Sequence, residues 1–266
     1  MFSDNESAKE RSILEILAGK WAEKYQKKFK RETSRQEALE SDPRNGMEYL
    51  LGNCFARAGG EQAGYSEIAL NALQTCIGTA GSYSNFIRRF DAPDALWNQF
   101  KNFCEEQGTG VNEKNNKGVV IGIARLAQNS ENNNPILYMK DCAANGLLEK
   151  AFITLTSMKG IGDKIASFLL RDVVCIFDLE KEVPSKDLIF LQPVDVWIRR
   201  IACHLWNDLN EDMTSDWVIA RRIIQKCEEH GVSSLRFNQG AWYYGAYLIR
   251  DEAFVGQKID ELLEKV

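Results

Sequence analysis

Lys159-Gly160-Ile161-Gly162-Asp163-Lys164 is the segment of this 266-residue chain whose residue types crowd most closely toward chemistry. Two glycines flank one apolar residue, so the backbone can turn sharply and come close to another molecule, because neither glycine carries a Cβ. Amides freed at the start of a following helix would suit a phosphate. Taken alone the same residues make an ordinary turn between two helices. Downstream, Pro193-Val194-Asp195 places a carboxylate at the first position of a predicted helix, where it is either a plain N-cap worth about 1 kcal/mol or a reactive acid. Near the end of the chain Asn238 precedes Trp242 by one helical turn, and Phe168 follows Lys164 by the same interval. Aromatic residues are core residues by default, so Phe168 and Trp242 are open to both a packing role and a binding role.

Other engines are poorly supplied. Two histidines, His204 and His230, leave little for a His-based metal site and read as surface or helix-end residues. The seven cysteines contain no C-x-x-C pair, and their odd number does not fit a complete disulfide framework, so they read as buried thiols of a reducing compartment. A Walker P-loop, a complete G-x-G-x-x-G and a G-x-S-x-G are absent, which disfavours nucleotide hydrolysis and the commonest hydrolase folds.

The elements that must hold these residues are helical. Hydrophobic residues make up 44% and charged residues 27% of the chain, and five prolines leave long helices uninterrupted. Ile13, Leu14, Leu17, Trp21 and Tyr25 recur at steps of three and four, one face of an amphipathic helix from Ser7 to Phe29, followed by the basic run Lys27 to Arg31, read as a solvated helix end. SDPRNG at 41–46 reads as a turn, with helices over Met47 to Arg57 and Ser66 to Cys76; Asp94 is a predicted N-cap after Pro93. The stretch 107–118 is a predicted loop, 118–128 and 135–144 are predicted helices, and Asp163 is the expected cap of the helix after the glycine turn. Val173 to Phe177 is a short strand or a helix end. No repeat of solenoid period is present, and the expected fold class is all-α, with ten to twelve helices. No apolar run approaches the ~18 residues of a membrane span, and the start MFSDNESAKERS lacks a basic and then apolar leader pattern, so the expectation is an intracellular protein without a membrane partner.

The glycine turn and the later aspartate together resemble the signature of the helix-hairpin-helix DNA glycosylase superfamily, a G-x-G hairpin followed by a Gly/Pro-rich loop and the aspartate of P-V-D. The match is clearest over 150–250. The interval from Lys164 to Asp195 is longer than in the endonuclease III type, through the insertion Asp178 to Gln192, and is similar to the archaeal 8-oxoguanine glycosylase branch. The resemblance implies two helical lobes flanking a DNA-binding cleft, with the helix-hairpin-helix at 155–173 and the whole of 1–266 as one glycosylase domain. The lobes would be 45–175, and 1–44 with 176–266. It further implies a monomer acting on double-stranded DNA that contains a damaged base, an oxidised purine such as 8-oxoguanine. Lys159, Gly160, Ile161 and Gly162 would hold the DNA backbone, Arg199 or Arg200 assisting unless they are a solvated helix face. Phe168 and Trp242 would sandwich the extruded base, with Asn238 bonded to its edge. The four-cysteine cluster of the iron–sulfur members is missing, so neither a metal nor a cofactor is implied. No base-reading residue is assigned within Leu51 to Gln62. A net charge of −5 means that any electrostatic footprint on DNA must be local.

A lysine at the position of Lys164 implies a bifunctional enzyme, base excision combined with strand cleavage. An amine attacks only when neutral, and at a pKa of ~10.4 roughly one lysine in a few thousand is neutral at pH 7, so Lys164 is expected to sit in a partly desolvated cleft that lowers its pKa toward ~7 to 8. Asp195 would stabilise positive charge on the sugar and assist the nucleophile. A monofunctional glycosylase for alkylated or deaminated bases, a non-catalytic helix-hairpin-helix module, and an acidic helical interaction protein are the other readings of these residues.

Overall fold

The computed structural model describes residues 4–29, 35–56 and 63–264, and among these it is helical without a strand. Lys30, Arg31, Arg57 and the part of Leu51 to Gln62 beyond Ala56 lie outside the described residues. Fifteen α-helical segments occur. In chain order they are α1 (Asp4–Ile16), α2 (Ala22–Phe29), α3 (Gln36–Ser41), α4 (Pro43–Ala56), α5 (Ala63–Ala80), α6 (Tyr83–Ile87), α7 (Ala92–Glu106) and α8 (Glu113–Asn129). Then follow α9 (Pro135–Ala144), α10 (Leu148–Thr156), α11 (Asp163–Ile176), α12 (Val196–Leu205), α13 (Asp216–His230), α14 (Ser234–Tyr244) and α15 (Val255–Leu263). The count exceeds the expected ten to twelve because α3 and α6 are helices of only 6 and 5 residues, and because a π turn, Leu17–Trp21, divides the first long helix.

The chain divides into two compact units, 1–30 with 191–266, and 31–190. These bounds differ from the expected 44/45 and 175/176 for identifiable reasons. Helix α3 is tied into the second unit by the buried Asn134, whose amide donates to the Leu39 carbonyl at 2.7 Å while its Oδ1 caps α9 at the Ile136 N–H. After α11 the chain stays on that unit through Leu179 and Val183, both buried, and through the ring of Phe190 at 5.1 Å from that of Phe152.

The 31–190 unit packs α4, α5, α7, α8, α9, α10 and α11 around Leu50, Leu51, Leu73, Phe86, Phe100, Ile123, Leu155 and Leu170, all fully buried or within 1% of it. The other unit is built around α14, which packs on α12, α13, α2 and the π turn. Gly240 on α14 lies so close to the Leu17 carbonyl that a Cβ there would overlap its oxygen. The neighbouring Ala18 carbonyl accepts from Arg236 Nε at 2.9 Å. The π turn therefore lies against a crossing helix, its Leu17 carbonyl accepting from the Ala22 N–H and its Ala18 neighbour accepting from Arg236.

Several expected boundaries move. Helix α4 starts at Pro43, since a proline that cannot donate is well placed in a first turn, so 41–46 is not a turn. Asp91 precedes α7, and Asp94 lies in its first turn. Asn112 caps α8 by accepting from the Asn115 N–H, which shortens the predicted loop after Gln107. Val173 to Phe177 is the end of α11, not a strand. Both histidines end helices, His204 in the last turn of α12 beside Asp260 at 2.9 Å and His230 at the end of α13 beside Glu10 at 3.0 Å. None of the seven cysteines forms a disulfide; Cys54, Cys104, Cys142 and Cys227 are buried.

Candidate functional site

Between α10 and α11 the chain makes its tight turn at 157–162. The Ile161 N–H donates to the Met158 carbonyl at 2.9 Å, and Gly160 has φ +95. A Cβ on Gly160 would meet the Asn115 carbonyl oxygen at 2.6 Å and Val119 Cγ2 at 2.9 Å, so conformation and space both demand glycine there. Helix α8 forms the backing, with Gly118 against the Lys159 carbonyl. Ile161 is buried and anchors the tip of the turn to the core.

Gly162 differs. Its φ of −92 and ψ of 176 are open to any residue, and nothing lies within 4 Å of where its Cβ would be. It occupies the N-cap of α11 without a side chain to bond the first amides, and the expected cap, Asp163, is instead the first helical residue. The turn therefore carries one glycine that the fold requires and one that the fold does not. The second opens to solvent at a helix N-terminus, where backbone N–H groups favour an anion. Lys159 and Lys164 are exposed on either side of it. A pocket of about 510 Å³ adjoins the turn, lined by Gly122, Arg125, Tyr138, Ser157 and Lys159 among others.

Along α11, Lys164 in the first turn is exposed, whereas Phe168 one turn later is buried, with the Arg171 guanidinium 4.8 Å from its ring centroid. Arg171 is itself fully buried and pairs with Asp172 at 2.8 Å.

The remaining expected residues belong to the other unit. Asp195 is the N-cap of α12, its Oδ1 accepting from the N–H groups of Trp197 and Ile198, both at 3.0 Å. Asn238 is fully buried and donates from Nδ2 to the Pro193 carbonyl at 3.2 Å, bracing the segment that carries Asp195. The structure thus shows Asn238 enclosed, with its Nδ2 on the backbone, where a contact with a base edge is expected. Trp242, one turn on, is half-buried in an aromatic group, edge-on to Tyr25 at 5.8 Å, Phe29 at 5.6 Å and Tyr247 at 5.9 Å. Arg199 and Arg200 are engaged inside their own unit. Arg199 donates to the Glu211 and Thr214 carbonyls and pairs with Asp216, and Arg200 pairs with Glu211. They brace the loop before α13 rather than offering free cations.

One residue passed over in the sequence is Phe90, whose side chain is 101% exposed in the turn between α6 and α7, beside the exposed Arg88 and Arg89. The signal was legible as R-R-F-D, but nothing in it says that the ring points outward.

Among the described residues no three His, Cys, Asp or Glu side chains gather as metal ligands, and no helix is long and apolar enough to cross a membrane. No protein-family model, curated protein or solved structure matches the chain.

Proposed function

We propose that this chain is a bifunctional DNA glycosylase and abasic-site lyase, acting on duplex DNA with an oxidised purine such as 8-oxoguanine. In this reading 155–173 is a helix-hairpin-helix and the two units are the lobes of the enzyme. The observation that carries it is Gly162: a glycine that the fold does not need, at an open helix N-terminus between two exposed lysines. A DNA phosphate brought against those amides accounts for it.

Lys164 is the nucleophile. Its neutral amine attacks C1′ of the damaged nucleotide as the glycosidic bond breaks, the electron pair leaving with the base, which takes up a proton. Ring opening gives an imine between Nζ and C1′. Loss of a C2′ proton then expels the 3′ phosphate, cutting the strand, and water releases the lysine. Lys164 is exposed in the structure, so the enclosed site in which it reacts is completed by the bound DNA. Asp195 is the carboxylate that stabilises positive charge on the sugar. Its two backbone hydrogen bonds fix the group. Asn238 is a positioning residue acting through Pro193. Phe168 and Trp242 are the aromatic candidates for stacking the extruded base.

The test is strand scission on a duplex carrying 8-oxoguanine. Wild type yields the β-elimination product, and Lys164→Gln yields none. Base release without scission by wild type would replace this reading with a monofunctional enzyme.

A further inference from the structure

The chain is acidic overall, so a surface that recruits a polyanion must be a local one. One such surface lies well away in sequence from the glycine turn. Between residues 20 and 28 the chain reads KWAEKYQKK, four lysines against a single carboxylate, Glu23. Lys20, Lys24, Lys27 and Lys28 are all exposed, and none of them joins an ion pair among the described residues.

Three of these lysines are held over aromatic rings. The ammoniums of Lys20 and Lys24 stand 4.8 and 4.7 Å from the Trp21 ring centroid, and that of Lys28 stands 4.2 Å from the Tyr247 ring. The rings form a continuous ladder: Trp21 stacks on Tyr243 at 6.4 Å, and Tyr243 meets Tyr247 at 4.9 Å. The Trp21 indole N–H is buried without an acceptor, so the polar engagement of this ring is through its π face. Residues four apart on a helix advance by about 6 Å, so Lys20 to Lys28 covers about 12 Å. One strand of duplex DNA advances about 3.4 Å per phosphate, so a row of that length faces three or four consecutive phosphates.

We propose that the lysine row Lys20, Lys24 and Lys28, seated on the Trp21–Tyr243–Tyr247 ladder, is a second DNA-contact surface that binds backbone phosphates without regard to sequence or damage. The rings hold the ammoniums in place before DNA arrives, which lowers the ordering cost of each contact. An anionic membrane is the less suitable partner, because a membrane-seated helix needs an outward apolar face. Here Leu17, Trp21, Ala22 and Tyr25 are buried, and α14 packs on both α2 and the π turn.

The surface does not depend on Lys164 chemistry, and the test is run on undamaged DNA so that the two readings fail separately. Affinity for an undamaged duplex is measured against salt for wild type, for the triple variant Lys20→Gln, Lys24→Gln, Lys28→Gln, and for the corresponding triple arginine variant. The glutamine variant, folded by circular dichroism, is expected to bind at least tenfold more weakly at low salt, with a log–log salt slope shallower by about 0.9 per lysine removed. The arginine variant is expected to keep the wild-type slope. An unchanged slope and affinity in the glutamine variant would overturn the proposal. So would a wild type that binds no duplex, or a glutamine variant that loses only its binding to phosphatidylserine vesicles.

Discussion

Replacing each glycine of the turn by alanine separates what the fold needs from what a ligand needs. At Gly160 the positive φ costs about 1–3 kcal/mol for a residue with a Cβ, and the overlap with the Asn115 carbonyl, at 2.6 Å from the added carbon, adds the strain of overpacking. That second cost is also about 1–3 kcal/mol, because the opposing group is backbone and cannot rotate away. Gly160→Ala is therefore expected to lose about 3 kcal/mol or more, which lowers the midpoint of a domain of this size by about 6–12 °C. At Gly162 the geometry suits alanine. The weaker N-cap costs about 0.5–1 kcal/mol, and the stiffer unfolded chain returns about as much, leaving stability within about 1 kcal/mol of wild type. The added methyl group does stand where a phosphate would approach, so duplex affinity should fall about five- to tenfold, the worth of one backbone hydrogen bond. Urea unfolding followed by circular dichroism and fluorescence anisotropy with a labelled duplex read the two quantities. Equal loss of stability in both variants, or a Gly162→Ala protein that binds duplex like wild type, would refute the division of labour between the two glycines.

Asn238→Ala removes a buried donor and leaves the Pro193 carbonyl without it, so the 191–266 region should lose about 1–3 kcal/mol in urea unfolding. If Asn238 acts through Asp195, scission should slow with little change in DNA affinity; an affinity loss alone would return Asn238 to the base pocket. For pH, burial raises the Glu10 carboxyl, but hydrogen bonds from His230, Trp206 and Lys226 outweigh it and hold the group below its ordinary value. A depressed carboxylate gives stability that is present above its unfolded pKa of about 4.3 and is lost as pH falls through the folded value. Acid unfolding monitored by tryptophan fluorescence should therefore shift less below about pH 4.3 in Glu10→Gln than in wild type; parallel acid curves would count against this cluster as the acid-sensitive point.

What could be read from the sequence followed periodicity and punctuation. The step pattern of Ile13, Leu14, Leu17, Trp21 and Tyr25 is a helix, Pro135–Ala144 is a helix with those ends, and Asp195 caps a helix because a short carboxylate before V-W-I-R has that use locally. The π turn at Leu17–Trp21 is not legible locally, and the helix it packs on, with Gly240 against the Leu17 carbonyl, lies far along the chain. Domain limits shifted for the same reason: Asn134 reaches Leu39, a contact that no local pattern announces. For the site, the sequence singled out the glycine turn but could not say which glycine the fold requires, since that depends on the Asn115 carbonyl of another helix. It placed Asn238 on one face with Trp242 but could not reveal that the face points inward at Pro193. The basic run visible in the sequence is Lys27 to Arg31, which reads as a solvated helix end; that Lys20, Lys24 and Lys28 stand over the Trp21 and Tyr247 rings depends on packing that no local pattern announces.

The central claim rests on one bond, between Nζ of Lys164 and C1′ of an opened sugar, and borohydride reduction makes that bond permanent. Wild type incubated with borohydride and a duplex carrying an abasic site should give a covalent protein–DNA adduct, and Lys164→Gln, still folded and still binding the duplex, should give none. No adduct with wild type, or an adduct undiminished in Lys164→Gln, would contradict the account.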